Sequence, residues 1–253
     1  MSNSINISIV TATWNCVHTL PDCLNSLASQ TFQSKQHIVV DGVSSDGTIE
    51  LIKQHSGQVS IFKSEPDTGI YDALNKGILL ATGDVVGFLH ADDLYASQDV
   101  LCKVADAFED PTVCAVYGDL EYVKQTDTTK VVRRWKSKPF TSRDLAFGWM
   151  PAHPTLFVRR EWYECIGGFD ETYRISADYL SILLLFKQPG FKAIYIPEVF
   201  IKMRLGGVSN KSLQSVVLKT QEDWRALRSC GFSITWALRA IVWKNLSKLG
   251  QFF

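Results

Sequence analysis

The sequence predicts an α/β fold, with a mostly parallel central sheet flanked by helices and a helical extension at the C-terminus. Three observations carry this. Short β-rich runs alternate with segments of helical periodicity through the first half of the chain, the pattern of a sheet wrapped by crossover helices. One of these runs, Asp84 to Leu89, is almost wholly apolar, as a strand covered on both faces must be. The 253 residues are 46% apolar and 11% aromatic, enough hydrophobic material to offset chain entropy around a sizeable core.

The elements follow in order. Ile5 to Trp14 reads as a strand and Leu20 to Ser29 as a helix. Gln36 to Asp41 is a second strand, and Ser44-Ser45-Asp46-Gly47-Thr48 supplies capping side chains for a helix over Ile49 to His55. Val59 to Ser64 is a third strand. Ile70 to Leu80 has apolar residues at helical spacing and stops before Gly83. After Asp84 to Leu89 come two further strands, Cys114 to Val123 and Lys130 to Trp135, then a short strand within Pro151 to Arg160. Ser176-Ala177-Asp178-Tyr179 heads an apolar helix through Phe186, Phe191 to Pro197 is extended, and two helices close the chain. The division expected is one domain over residues 1–210 with a helical extension over 211–253.

Charge and composition exclude several classes. Twenty-six basic residues balance 26 acidic ones, so a nucleic-acid partner bound by bulk charge is not expected. Six scattered cysteines lack metal-binding spacing and read as small buried hydrophobes in a reducing compartment. The N-terminal residues lack a basic signal region and no apolar stretch is long enough to span a bilayer, so cytoplasmic residence is expected. No G-x-G-x-x-G follows the first strand and no G-x-x-x-x-G-K-[ST] occurs, which argues against a dehydrogenase or a P-loop enzyme.

Polar chemistry gathers at strand ends, where open α/β sheets bind ligands. Thr11 and Thr13 close the first strand, Asp41 the second, and His90-Ala91-Asp92-Asp93 follows the fourth. Adjacent carboxylates are costly when buried, and Mg²⁺ or Mn²⁺ shared with a ligand's phosphates relieves that cost; helix capping is the plainer alternative. Acidic strand ends without a glycine-rich phosphate cradle point to a sugar-nucleotide user.

Four runs then carry a resemblance: Ile7-Ser8-Ile9-Val10-Thr11-Ala12-Thr13-Trp14-Asn15, Ile38 to Thr48, Glu65-Pro66-Asp67-Thr68-Gly69-Ile70-Tyr71 on to Gly77, and Leu89-His90-Ala91-Asp92-Asp93. With Gly167-Gly168-Phe169-Asp170-Glu171, Asp178-Tyr179 and Gly206-Gly207-Val208-Ser209, the chain resembles the family 2 glycosyltransferases of GT-A fold over roughly residues 5–209. It is similar to the bacterial branch that builds colanic acid, O-antigen and capsule units. The resemblance implies an inverting, Mn²⁺- or Mg²⁺-dependent hexosyltransferase with a nucleoside diphosphate sugar donor, UDP-linked. It implies that Thr11 and Thr13 line the base pocket, Asp41 bonds the base, Asp92 meets the ribose and Asp93 the metal. Asp67 and Tyr71 sit by the donor, Asp178 is the catalytic base, and Trp149 and His153 stand on the acceptor side. Many relatives have an acidic residue where this chain has His90, which is a ligand, a neighbour of one, or a core histidine.

The acceptor implied is a lipid-linked saccharide. A basic cluster from Lys130 to Arg143 suits an anionic headgroup, although a solvated strand face explains it equally. Residues 201–253 hold nine basic residues against Glu222 and Asp223, a surplus of seven that the rest of the chain cancels. Helical spacing from residue 234 puts Ile234, Leu238, Ile241, Val242, Leu249 and Phe252 on one face, flanked by Lys244 and Lys248 on one side and by Trp236, Arg239 and Trp243 on the other. Such a helix lies on the inner face of the cytoplasmic membrane, or docks on the domain or in a homodimer. Two other classes stay open: a sugar-nucleotide nucleotidyltransferase, disfavoured because Thr11 to Asn15 is not a Gly/Lys-rich loop, and a non-catalytic membrane scaffold.

Overall fold

The computed structural model describes residues 5–206 and 213–246. Its strands are β1 (Ile7–Thr13), β2 (Lys35–Asp41), β3 (Ile61–Ser64), β4 (Val85–Phe88), β5 (Leu94–Tyr95), β6 (Ala115–Lys124), β7 (Asp127–Trp135), β8 (Phe157–Arg159) and β9 (Ala193–Arg204). Its helices are α1 (Leu20–Ala28), α2 (Thr48–Gln54), α3 (Ile70–Leu80), α4 (Val100–Phe108), α5 (Arg160–Ile166), α6 (Ala177–Phe186), α7 (Leu213–Ser229) and α8 (Ile234–Leu246). One sheet runs in the order β3-β2-β1-β4-β8-β6-β9-β5, with β7 paired to β6. The β3-β2-β1-β4 half is parallel; β8 runs antiparallel to both of its neighbours and makes the other half mixed.

Strand alternation sorts the core into two layers. Val10, Ile38, Val40, Val86 and Phe88 face α3, α6, α7 and α8, whereas Ile9, Val39, Val85 and Leu89 face α1, α2 and α4. In α1 the buried Leu20, Cys23, Leu24 and Leu27 repeat at helical spacing. Helix α3 lies close on β1 because Gly77 has no side chain: a Cβ there would sit 2.2 Å from Val10 Cγ1. Eight of the ten residues of α6 are buried, making it the central helix of its layer.

The structure corrects three sequence expectations. Phe191 to Pro197 extends into the twelve-residue β9, because Pro197 sits where the β6–β9 register slips and needs no ladder hydrogen bond there. Only Phe157–Arg159 of the Pro151 to Arg160 segment is strand; His153–Thr155 is a 3-10 turn and Arg160 opens α5. The capping residues before α2 divide: Asp46 takes the Thr48 N–H at 3.0 Å, while Ser44 turns back to Asp41.

Helices α7 and α8 share the core of the body. Ala226, Leu227, Cys230, Ala237 and Ala240 are buried in the same apolar layer as α6. The docked face of α8 runs through Ala237, Ala240 and Lys244, so Lys244 is interior rather than a flank of an exposed stripe. Ile234, Leu238 and Val242 do lie on its exposed side, joined by Trp236, Trp243 and Leu246. The Gly207-Val208-Ser209 part of its motif, Leu249, Phe252 and Lys248 lie outside the described residues. Among the described residues no helix is long and apolar enough to cross a membrane.

Candidate active site

The parallel half of the sheet delivers β1, β2, β3 and β4 to one rim, where Thr13, Asp41, Ser64 and the His90–Asp93 turn meet. At its nucleus Asp41 is fully buried and filled with donors. Thr13 Oγ1 donates to Oδ1 at 3.0 Å and Ser44 Oγ at 2.5 Å, while the Ser44 N–H (3.0 Å) and Ser64 Oγ (2.8 Å) reach Oδ2. Four donors occupy the acceptor positions of the carboxylate, so Asp41 and Thr13 brace the rim from inside. The pleat turns Thr11 to the α1 side, where it is fully buried with Oγ1 3.1 Å from His37 Nε2; it presents no surface to the rim.

Above this brace the surface opens. Trp14 is 70% exposed at the end of β1, beside Gly42, where a Cβ would meet its ring at 3.4 Å and Asp67 Oδ2 at 2.4 Å. Asp67 also accepts the Gly69 N–H at 3.0 Å, which opens α3. Next to Gly42, Val43 holds φ +61°, a left-handed conformation that is strained for a β-branched side chain. An exposed tryptophan and a strained loop stand together at this strand end, and the isolated Trp14 at a strand terminus was their signal in the sequence.

The turn after β4 separates the two acidic residues. The Asp93 N–H donates to the His90 carbonyl at 2.9 Å; Asp92 stays half-exposed while Asp93 is fully buried. Both Asp93 oxygens are without a hydrogen-bond partner, and burial, aided by Asp92, pushes its carboxyl well above the usual range. Of the two, Asp92 is the carboxylate that reaches the surface, while Asp93, which the resemblance implies as the metal contact, is enclosed. Arg204 fixes this turn: its Nη1 donates to the Asp92 carbonyl at 2.8 Å while Nη2 pairs with Asp22.

Asp178 stands in the second position of α6, half-buried, with Oδ1 accepting the Tyr179 N–H at 2.8 Å and lying 3.5 Å from the Tyr71 hydroxyl. Tyr71 donates its main bond to the Ile175 carbonyl at 2.6 Å, tying α3 to the entry of α6. Burial raises the Asp178 carboxyl above its usual range, opposed by Lys219, Lys244 and the Tyr179 amide. His90 is half-buried within the electrostatic reach of both Asp92 and Asp178; burial lowers it and the two carboxylates pull it back up.

Beneath His90 lies His153, its ring centroid 5.9 Å away and 5.2 Å from that of Phe88. It is buried with both ring nitrogens unpartnered, and burial lowers it to about 3, so it is neutral. Trp149 is packed among Tyr117, Phe140 and Phe186. Gly168 at φ +74° serves a protein contact, since Asn75 Oδ1 would meet its Cβ at 2.6 Å and takes the Phe169 N–H at 2.8 Å. On the far side of Tyr71 a cleft of about 470 Å³ runs between Thr68–Asp72 and Glu171–Arg174. Three of the six residues of the basic cluster are ion-paired: Arg134 with Glu121, Lys130 with Asp127 and Lys138 with Asp144.

Sequence reasoning missed the α7 contribution. Glu222 accepts the N–H groups of Arg174, Ile175 and Ser176 at 2.8, 2.9 and 2.9 Å, closing the N-terminus of α6 just ahead of Asp178. Its neighbour Asp223 takes Lys219 Nζ at 2.8 Å and Lys244 Nζ at 2.9 Å. The signal was present: Glu222 and Asp223 are the only acidic residues after residue 200.

The oxygen donors at the rim suit a hard divalent cation. Asp92 makes no side-chain hydrogen bond among the described residues, Asp93 is unpartnered, and no cluster of three His, Cys, Asp or Glu side chains stands ready among the described residues. Mg²⁺ or Mn²⁺ held by one or two carboxylates and completed by ligand phosphates fits such a sparse set.

Comparison with known proteins settles the family. The model of the glycosyl transferase family 2 matches residues 8–167, which include all but the first residue of the parallel half and the Asp92 turn. The chain belongs to glycosyl transferase family 2. This transferase is 34% identical over 218 residues to a PGL/p-HBAD biosynthesis glycosyltransferase of Mycobacterium tuberculosis, covering 84% of this chain and 82% of that one. It is 26% identical to the chondroitin synthase of Pasteurella multocida over 74% of this chain and 19% of that protein. Its fold is GT-A. Residues 1–349 of Staphylococcus aureus TarS in complex with UDP-GlcNAc superpose with a TM-score of 0.70 at 16% identity, over 89% of this chain and 65% of that one. The Pyrobaculum calidifontis mannosyltransferase PcManGT, in complex with GDP-Man and Mn²⁺, gives 0.66 at 19% identity, over 95% and 69%.

Proposed function

We propose that the transferase moves a hexose from a uridine diphosphate sugar to a hydroxyl of a lipid-linked saccharide, with inversion at the anomeric carbon. The observation that carries this is His90 standing within electrostatic reach of both Asp92 and Asp178: a carboxylate for the diphosphate end and a carboxylate for proton abstraction, both half-buried. Trp14, Asp67 and Tyr71 would line the donor, with Thr13 and Asp41 bracing the rim behind them. Asp92 would hold Mn²⁺ or Mg²⁺, which when bound supplies Lewis-acid stabilisation of charge on the departing diphosphate.

In the reaction the acceptor hydroxyl attacks the anomeric carbon as the bond to the diphosphate breaks. The electron pair leaves with the diphosphate and the hydroxyl proton passes to Asp178. Tyr71 holds the Ile175 carbonyl and so fixes the entry of α6 just ahead of Asp178. His153, neutral and buried under His90, forms the floor.

The acceptor reading draws on α8. Ile234, Trp236, Leu238, Val242, Trp243 and Leu246 are each 44% exposed or more, an amphipathic face suited to the interface of an anionic membrane. The test combines release of nucleoside diphosphate from a panel of UDP-, GDP- and dTDP-sugars, with and without Mn²⁺, and sedimentation with anionic liposomes. Turnover of a UDP-sugar with liposome binding is expected. Liposome binding with no nucleotide-sugar turnover or affinity would favour a scaffold instead.

A further inference from the structure

We propose that Glu222, on helix α7 of the C-terminal extension, is a positioning residue for the transfer reaction, fixing the backbone that enters α6 and with it the place of Asp178. The proposal rests on the reading of Asp178 as the base. It adds to that reading a part of the chain beyond residues 8–167, the stretch that the family model matches. Glu222 is 6% exposed and gives both carboxylate oxygens to three consecutive backbone donors. Oε1 accepts the Arg174 N–H at 2.8 Å, and Oε2 accepts those of Ile175 and Ser176 at 2.9 Å each.

The hold is two-sided. While Glu222 takes the Ile175 N–H from α7, Tyr71 on α3 donates its hydroxyl to the Ile175 carbonyl at 2.6 Å. Both polar backbone groups of Ile175 are thus held by side chains from different helices. The Tyr71 oxygen also lies 3.5 Å from Asp178 Oδ1, which in turn accepts the Tyr179 N–H at 2.8 Å. Further along α7, Arg225 donates to the Thr172 carbonyl and hydroxyl and places its guanidinium 4.3 Å from the centroid of the Tyr173 ring. Glu222 and Arg225 stand three apart, neighbours on one helix face, so α7 holds the whole approach from Thr172 to Ser176. A helix start needs only a local cap, and Ser176 at the N-cap is of a suitable type. Its hydroxyl turns instead to the Lys219 carbonyl at 3.5 Å, and the acceptor for its N–H comes from a carboxylate 46 residues later. Charge-assisted bonds add geometric specificity as well as energy. A base needs that specificity, since a misplacement of about 1 Å costs about 10²-fold in rate.

The experiment measures kcat and KM for nucleoside diphosphate release by the full chain in wild type, Glu222→Gln, Asp178→Asn and the double variant, with donor affinity read by calorimetry. Glu222→Gln keeps the side-chain length but presents an amide N–H₂ to backbone donors. In this variant kcat is expected to fall by about 10–100-fold while donor affinity is unchanged. In the Asp178→Asn background the same substitution should cost nothing further, because no base is left to misplace. A merely structural role lowers turnover equally in both backgrounds; that result, or an unchanged kcat in folded Glu222→Gln, overturns the inference. Full activity in Asp178→Asn overturns the parent reading and the proposal with it, whereas a loss in Asp178→Asn with none in Glu222→Gln removes only the role of Glu222. Where Glu222→Gln does not fold, Glu222→Asp takes its place in the cycle. Hydrogen exchange on wild type needs no variant: the Arg174, Ile175 and Ser176 amides are expected to be as protected as those in the middle of α6, and exchange at the rate of an exposed turn refutes the grip.

Discussion

Replacing Glu222 with alanine perturbs the fold at the point where the C-terminal helices grip the active site. Glu222 is buried and its carboxylate accepts three N–H bonds of 2.8–2.9 Å from Arg174, Ile175 and Ser176. A net hydrogen bond to a charged group contributes about 1.5–3 kcal/mol, and a lost helix cap alone costs about 1 kcal/mol. Three bonds sharing two oxygens do not add fully, so Glu222→Ala is expected to cost about 3–5 kcal/mol. Glu222→Gln, which keeps one acceptor oxygen but turns an amide N–H₂ toward three donors, should cost about 2–3 kcal/mol. Urea denaturation followed by tryptophan fluorescence measures both from the shift in midpoint at constant slope. A loss below about 1 kcal/mol in Glu222→Ala would show that the α6 entry holds itself without α7 and would refute the anchoring role of Glu222.

Further predictions concern strain and packing. Asp178 is held above its ordinary pKa, so the folded form binds the proton more tightly than the unfolded chain, and stability gained below the folded value is lost as pH rises through it. Asp178→Asn should therefore raise Tm at pH 7.5 and lose that advantage as pH falls, read by calorimetry at several pH values; a lowered Tm at pH 7.5 contradicts the sign. Gly77→Ala forces a Cβ to within 2.2 Å of Val10 Cγ1 and should cost about 1–3 kcal/mol, partly recovered in a double variant with Val10→Ala. Val43→Gly relieves a left-handed valine and should stabilise by about 0.5–1 kcal/mol in the same urea assay.

The parallel half of the fold was legible because each of its elements carries its own signal. Ile70–Leu80 matches the helical periodicity at both ends, and β1, β2 and β4 end within two residues of the apolar runs that announced them. The later half depended on contacts between distant segments. Residues 193–204 form one strand only because β6 lies alongside to absorb the Pro197 irregularity, which no local pattern encodes. Helix α4 and the two-residue β5 went unread, the latter being too short to show a period and existing only through its pairing with β9.

The site shows the same division. The strand-end residues Thr13, Asp41 and Asp92 meet at one rim, as the βαβ pattern requires. The sequence could not say which of two adjacent aspartates faces outward, since a tight turn puts Asp92 at the surface and Asp93 beneath it. Thr11 shares a face with Thr13, since residues two apart do, but it sits deeper in β1 and is sealed by His37. The amphipathic reading of α8 put Lys244 at the edge of an exposed stripe, whereas a buried Asp223 twenty-one residues earlier draws it inside.

The most direct test of the whole account compares wild type with Asp178→Asn for binding and for turnover of the same UDP-sugar. Calorimetric titration in the presence of Mn²⁺ should give the same donor affinity for both, because the proposed donor site lies at the carboxyl ends of β1, β2 and β4. Release of nucleoside diphosphate with acceptor present should fall by about 10²–10⁴-fold in Asp178→Asn, the contribution expected of a general base. Undiminished turnover in Asp178→Asn would contradict the assignment of the base, and with it the mechanism built on Asp178 and Asp92.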